Sequence, residues 1–116
     1  MFDEKRNTLF LALDGYRVHR QSDVDAIKDA VFEIFGRVGR RFSAIINYDS
    51  CDIAPDLADQ WFSMAAEVER TCYTHVSRYT TSAFMRLKLG DALARRDVAP
   101  HIFETSTDAN QFVSKK

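Results

Sequence analysis

Residues 77–90 read Ser77-Arg-Tyr-Thr-Thr-Ser-Ala-Phe-Met-Arg-Leu-Lys-Leu-Gly90, and their periodicity changes partway along. The preceding residues 73–79 are rich in β-branched and aromatic types, as a strand requires. Three hydroxyl residues follow, and each can accept a hydrogen bond from the free amides of a helix's first turn. Apolar residues then recur at helical spacing: Phe84, Met85, Leu87, Leu89, Ala92 and Leu93. The stretch therefore predicts a strand, a short polar loop and a helix.

Three further segments have the apolar content of strands. Residues 9–13 form a continuous apolar run closed by Asp14-Gly15, which indicates a strand covered on both faces. Residues 16–19 either continue that strand or fold back on it as a hairpin, which Asp-Gly favours. Residues 42–48 give a second strong strand, and residues 100–103 a last short one.

Helical patterns separate these strands. Ser22, with Asp25 three positions later, heads the first helix, and Gly36 is placed to end it. Pro55 suits the first turn of the next helix, which runs to about Thr71. Its inward stripe is Leu57, Trp61, Met64 and Val68, while Phe62 falls off that stripe and its burial is left open. The third helix, which follows the polar loop at residues 80–82, ends near Arg95-Arg96. The last helix spans residues 106–113.

Strand and helix thus alternate four times, which is typical of a layered α/β fold with right-handed crossovers. The chain of 116 residues has the size of one domain. We expect a single α/β domain over residues 1–116, with a mostly parallel sheet of four or five strands and alternating helices.

Charge and composition exclude several classes of function. The 16 basic and 17 acidic residues are interspersed, which argues against a nucleic-acid surface. No apolar run approaches the roughly 20 residues that span a bilayer, so no membrane partner is expected. Cys51 and Cys72 have no metal-ligand spacing, and we interpret them as plain thiols of a cytoplasmic protein.

Catalytic and metal chemistry are not indicated. His19, His75 and His101 lie far apart in the chain without other ligands nearby, although His75 and His101 fall on neighbouring predicted strands. Ser50 and Cys51 have no obvious base to activate them. We therefore predict no catalytic residue, no metal site and no cofactor.

Two polar loops form the candidate ligand site, because each follows a strand and opens a helix. Residues 49–52 make the first loop and residues 80–82 the second, and their amides could face one crevice. The candidate ligand-binding residues are Asp49, Ser50, Arg78, Thr80, Thr81 and Ser82, and the ligand would be coenzyme A or another anion. In the alternative interpretation the hydroxyls only cap the helix, and Arg78 pairs with Asp49 or Asp52.

One segment of the chain resembles a known family in its amino-acid sequence. The segment is Arg78-Tyr-Thr-Thr-Ser-Ala-Phe-Met-Arg-Leu-Lys-Leu-Gly-Asp-Ala-Leu-Ala-Arg-Arg96, followed by Ala99-Pro-His-Ile-Phe-Glu-Thr105. It is similar to the carboxyl-terminal extension of long acyl-CoA:acetate/3-ketoacid CoA-transferases of the propionate CoA-transferase type. Residues 8–18 and 44–49 also resemble it. No position matches the motif of that family's catalytic glutamate. The resemblance implies a non-catalytic accessory domain, whose partners are catalytic CoA-transferase domains or a second copy of itself.

A second resemblance, in the order of elements, is to the STAS domain of anti-sigma-factor antagonists and sulfate transporters. In those antagonists a phosphorylatable serine opens a helix in an Asp-Ser-Ser-Gly context. Asp49-Ser-Cys-Asp52 keeps the Asp-Ser pair but lacks the second Ser and the Gly. This resemblance implies a STAS-like fold and, as the alternative function, a regulator switched by phosphorylation of Ser50 or Thr81 or by an anionic ligand.

Overall fold

A computed structural model describes residues 1–114 and shows seven strands and four α-helices within them. A 3-10 turn over Pro55–Leu57 leads into the second helix. The elements in chain order are β1 (Phe2–Asp3), β2 (Thr8–Ala12), β3 (Arg17–Val18), α1 (Gln21–Val38), β4 (Phe42–Asn47), β5 (Asp52–Ile53), α2 (Ala58–Cys72), β6 (Tyr73–Tyr79), α3 (Ala83–Ala94), β7 (Ile102–Phe103) and α4 (Ser106–Ser114).

The main sheet has five strands in the order β1-β2-β4-β6-β7. Strands β2, β4, β6 and β7 run parallel, and only β1 is antiparallel to its neighbour. The predicted single α/β domain with a mostly parallel sheet is therefore confirmed. The prediction for residues 16–19 was wrong. These residues contain β3, which neither extends β2 nor pairs with it as a hairpin. Strand β3 instead pairs in parallel with β5, which follows β4.

The two faces of the sheet are covered unequally. Helices α1, α2 and α3 bury the larger core on one face, where Trp61 is 1% exposed and its ring lies edge-on to that of Tyr48. Phe62, left open by the sequence, is also buried. On the other face α4 alone packs over Ile45 through Ala109 and Val113.

The apolar residues that recur at helical spacing over residues 84–93 lie on α3, as predicted, but they are not all buried. Leu89 and Leu93 are fully buried, whereas Phe84 is 75% and Leu87 72% exposed. At about 100° per residue, Phe84 and Leu87 project from the side of the helix away from Leu89 and Leu93. Helix α3 therefore presents an apolar outer face.

Helix α1 differs from expectation at both ends. It begins at Gln21, and the Asp23 carboxylate accepts the backbone amides of His19 and Arg20, each at 2.9 Å. Those two hydrogen bonds do the capping expected of Ser22 and Asp25. The helix continues through Gly36 and ends at Gly39, which has a left-handed φ of 75°.

These two glycines make a matched pair for a stability test. A Cβ at either position would meet no atom within 4 Å, so only backbone conformation distinguishes them. We expect Gly36→Ala to stabilise the protein by about 0.5–1 kcal/mol, as in a helix interior. Gly39→Ala should destabilise it by about 1 kcal/mol, since a side chain disfavours the left-handed region. Urea unfolding measures the free energy of unfolding of both variants. If Gly36→Ala lowered it at least as much as Gly39→Ala, the helix would not continue through Gly36 as the structure shows.

Candidate functional site

The two predicted loops meet where β4 and β6 end. The Oδ1 atom of Asp49 accepts the Thr81 backbone amide at 2.7 Å and the hydroxyls of Thr80 and Thr81, each at 3.1 Å. Hydrogen bonding, first of all from the Thr81 amide, holds the pKa of the Asp49 carboxyl below its usual value. Asp49 therefore joins the two loops through its own side chain.

The hydroxyls of the second loop serve the helix that follows them. Ser82 Oγ accepts the Met85 amide at 3.1 Å, and Thr80 Oγ1 accepts the Ser82 amide at 3.2 Å. This is the capping role of the alternative interpretation. An anion at this loop would have to displace the Asp49 carboxylate from the Thr81 amide. Anion binding by these residues stays a prediction, and the geometry lends it no support.

Arg78 lies outside this crevice, and its expected pairing with Asp49 or Asp52 was wrong. The side chain is 1% exposed, and its Nη2 contacts Oε1 of Glu69 on α2 at 2.6 Å. Its Nη1 donates to the Pro100 carbonyl at 3.1 Å. The physical reason is strand alternation, which directs Arg78 to the face of the sheet covered by α2.

Ser50 and Cys51 occupy the first loop in contrasting surroundings. Ser50 is exposed, with a left-handed φ of 56°. Cys51 is buried, and desolvation raises the pKa of its thiol to about 12, which keeps it protonated and unreactive at neutral pH. A phosphate on Ser50 would lie in the segment between Asp49 and Asp52, while Arg78 is already engaged by Glu69. Phosphorylation of Ser50, or of the exposed Thr81, stays a prediction.

His75 and His101 lie at the other edge of the sheet, whereas His19 contacts the end of the first loop. His19 Nε2 contacts Asp52 Oδ2 at 2.7 Å and links the turn after β3 to β5. Within residues 1–114, no three His, Cys, Asp or Glu side chains are grouped so that they could hold a metal ion.

A pocket that the sequence did not reveal, of about 290 Å³, lies at the opposite edge of the sheet, where β4 and β6 begin. Its charged and titratable lining residues are Arg41, Glu69, Arg70, Tyr73, His75, Asp97 and His101. The signal that could have revealed it is the placement of His75 and His101 on neighbouring predicted strands. Arg41 precedes β4 and Arg70 lies on α2, where a strand pattern gives no information on side-chain direction.

Comparison of the chain with protein families, with curated proteins and with solved structures found no match. Among the helices within residues 1–114, none combines the length and hydropathy needed to cross a bilayer.

The hydrogen bonds that Asp49 accepts from the second loop predict a pH-dependent stability. Because the folded state lowers the pKa of this carboxyl, its contribution is complete above the unfolded pKa and is lost as pH falls through the folded value. Asp49→Asn should cost about 1 kcal/mol at pH 7 and flatten the loss of stability below about pH 4. Asp14→Asn is the control, since the exposed Asp14 side chain makes no hydrogen bond within residues 1–114. If urea unfolding gave the two variants equal pH profiles of stability, the hydrogen bonds of Asp49 would not contribute to stability as expected.

The buried Arg78–Glu69 pair predicts a larger effect. Glu69→Ala leaves the Arg78 guanidinium without its counter-ion, and we expect a loss of about 3 kcal/mol. Glu67→Ala, on the same helix, removes only a surface pair with Lys28 at 3.2 Å and should cost under about 1 kcal/mol. Urea unfolding compares the two. Similar losses would show that the buried pair contributes no more than the surface pair.

Proposed function

We propose that this chain is a non-catalytic interaction domain that docks on a partner through the outer face of α3. The partner we propose is the catalytic part of an acyl-CoA:acetate CoA-transferase, with self-association as the other form of the same activity. The observation that carries the proposal is the exposure of Phe84 and Leu87, at 75% and 72%, on a helix whose opposite side is buried through Leu89 and Leu93.

Leu87 borders a shallow, mostly apolar groove. It lines the groove with Ala83, Arg86 and Gly90 from α3, while Pro100 and Ile102 close it from the side of β7. Large exposed apolar side chains that adjoin a groove are typical of protein docking surfaces. Aromatic anchors inserted into such contacts commonly supply much of the binding energy.

The choice of partner rests on the amino-acid sequence of the segment that contains α3. Phe84 and Leu87 fall inside residues 78–96, which resemble the extension of the propionate CoA-transferase type. The residues that resemble the CoA-transferase extension are therefore also the residues that form the exposed apolar face of α3. The proposal also places the protein in the cytoplasm, in keeping with two buried cysteines that form no disulfide.

The groups that could do covalent chemistry support a non-catalytic role. Cys51 and Cys72 are both buried, and burial raises the pKa of each thiol. Ser77, 0% exposed, donates its hydroxyl to the Ala109 carbonyl at 2.9 Å. None of these three groups is presented to a substrate as an activated nucleophile.

The test is binding to a propionate-type CoA-transferase cut back to its two catalytic domains, measured by isothermal titration calorimetry. Light scattering over a range of concentrations measures self-association in parallel. Phe84→Glu/Leu87→Glu puts two charges on the apolar face and should weaken whichever association occurs at least about tenfold. Both side chains are exposed, so the fold should remain intact.

Ala26→Glu/Ala30→Glu is the matched control, because it adds the same two charges to exposed positions of α1. It should leave the association unchanged. An association that survives in the α3 variant, its absence in both measurements, or thioester exchange catalysed by this chain alone would each refute the proposal.

A further inference from the structure

We propose that the pocket where β4 and β6 begin binds a small phosphate- or carboxylate-bearing anion. The site is distinct from the outer face of α3 and lies at the opposite end of β6 from the Thr80–Ser82 loop. Its volume of about 290 Å³ is near the lower limit of ordinary small-molecule pockets and suits a small anion.

The cationic groups come from separate parts of the chain. Arg41 precedes β4 and donates through Nη2 to the Tyr73 carbonyl, which fixes the guanidinium at the pocket wall. Arg70 lies near the end of α2, and His75 lies on β6. Within residues 1–114, the Arg70 and His75 side chains make no hydrogen bond or ion pair. Their donors are therefore available to a ligand.

The acidic groups do not cancel this charge. Glu69 lines the pocket, but Arg78 neutralises it at 2.6 Å. Among the lining residues within 1–114, Asp97 is then the one carboxylate set against the guanidinium groups of Arg41 and Arg70. These three side chains sum to one net positive charge, which favours an anion over a cation.

The wall on the β7 side is held in a fixed conformation. His101 has a left-handed φ of 41°, which is uncommon for a residue with a side chain. Its carbonyl accepts the Arg78 amide at 3.0 Å, and the preceding Pro100 carbonyl accepts Arg78 Nη1 at 3.1 Å. The buried arginine thus holds the segment that positions His101 at the pocket, as expected of a preorganised site.

The experiment is an amide NMR titration of the full chain with inorganic phosphate, then sulfate and acetate, at constant ionic strength set with chloride. We expect saturable shifts at residues 73–76 and 97–101. Arg70→Gln/His75→Gln should weaken phosphate binding about tenfold, because it removes two charged or chargeable donors without a structural contact. Arg37→Gln, an exposed arginine in the last turn of α1, is the control and should leave binding unchanged.

Three results would overturn the inference. Shifts confined to residues 80–83 would place the anion at the other edge of the sheet. Equal affinity of the double variant and the unmodified chain would show that the pocket donors are not used. Saturable shifts with tetramethylammonium but not with phosphate would show that the site selects cations. Phosphate binding without acetate binding would instead identify the ligand as a phosphate ester, and the reverse a carboxylate.

Discussion

The fold depends most on the buried guanidinium of Arg78. It is 1% exposed, and its two terminal nitrogens engage Glu69 of α2 and the Pro100 carbonyl before β7. Desolvating a guanidinium is costly unless its donors are paired. Its Nε has no partner within residues 1–114. One side chain thereby fixes α2, β6 and the edge strand β7 relative to one another.

A cavity of about 20 Å³ lies beside this guanidinium, lined in part by Tyr48, Trp61 and Tyr73. Burial raises the pKa of both tyrosine hydroxyls, so they stay protonated and can donate hydrogen bonds. The ion pair thus lies beside two protonated tyrosines in an otherwise apolar core. Buried polar groups of this kind favour the one arrangement of the surrounding elements in which they are paired.

The sequence predicts the order of the longer elements well, because β2 and β4 are mostly apolar, β6 is rich in β-branched and aromatic residues, and apolar residues recur at helical spacing in the helices. It does not predict β1 or β5, which are only two residues long. It predicts less about side chains. Period-two alternation from Val76 places Arg78 on the buried face, but nothing local identifies Glu69 as its partner, since that contact depends on how α2 packs. The exposure of Phe84 and Leu87 could have been foreseen from their angular positions on α3, whereas the strand-start pocket depends on turns without periodicity.

Parallel sheets usually bind ligands where their strands end, because the amides of the following helices point there without partners. In this chain the Asp49 carboxylate occupies that position and accepts the Thr81 amide at 2.7 Å. The donors that would hold an anion instead hold two loops together. At the other edge, Arg70 and His75 keep their donors, because Glu69 is engaged by Arg78. The anion site that we propose is therefore located by the distribution of uncommitted charge rather than by the topology of the sheet.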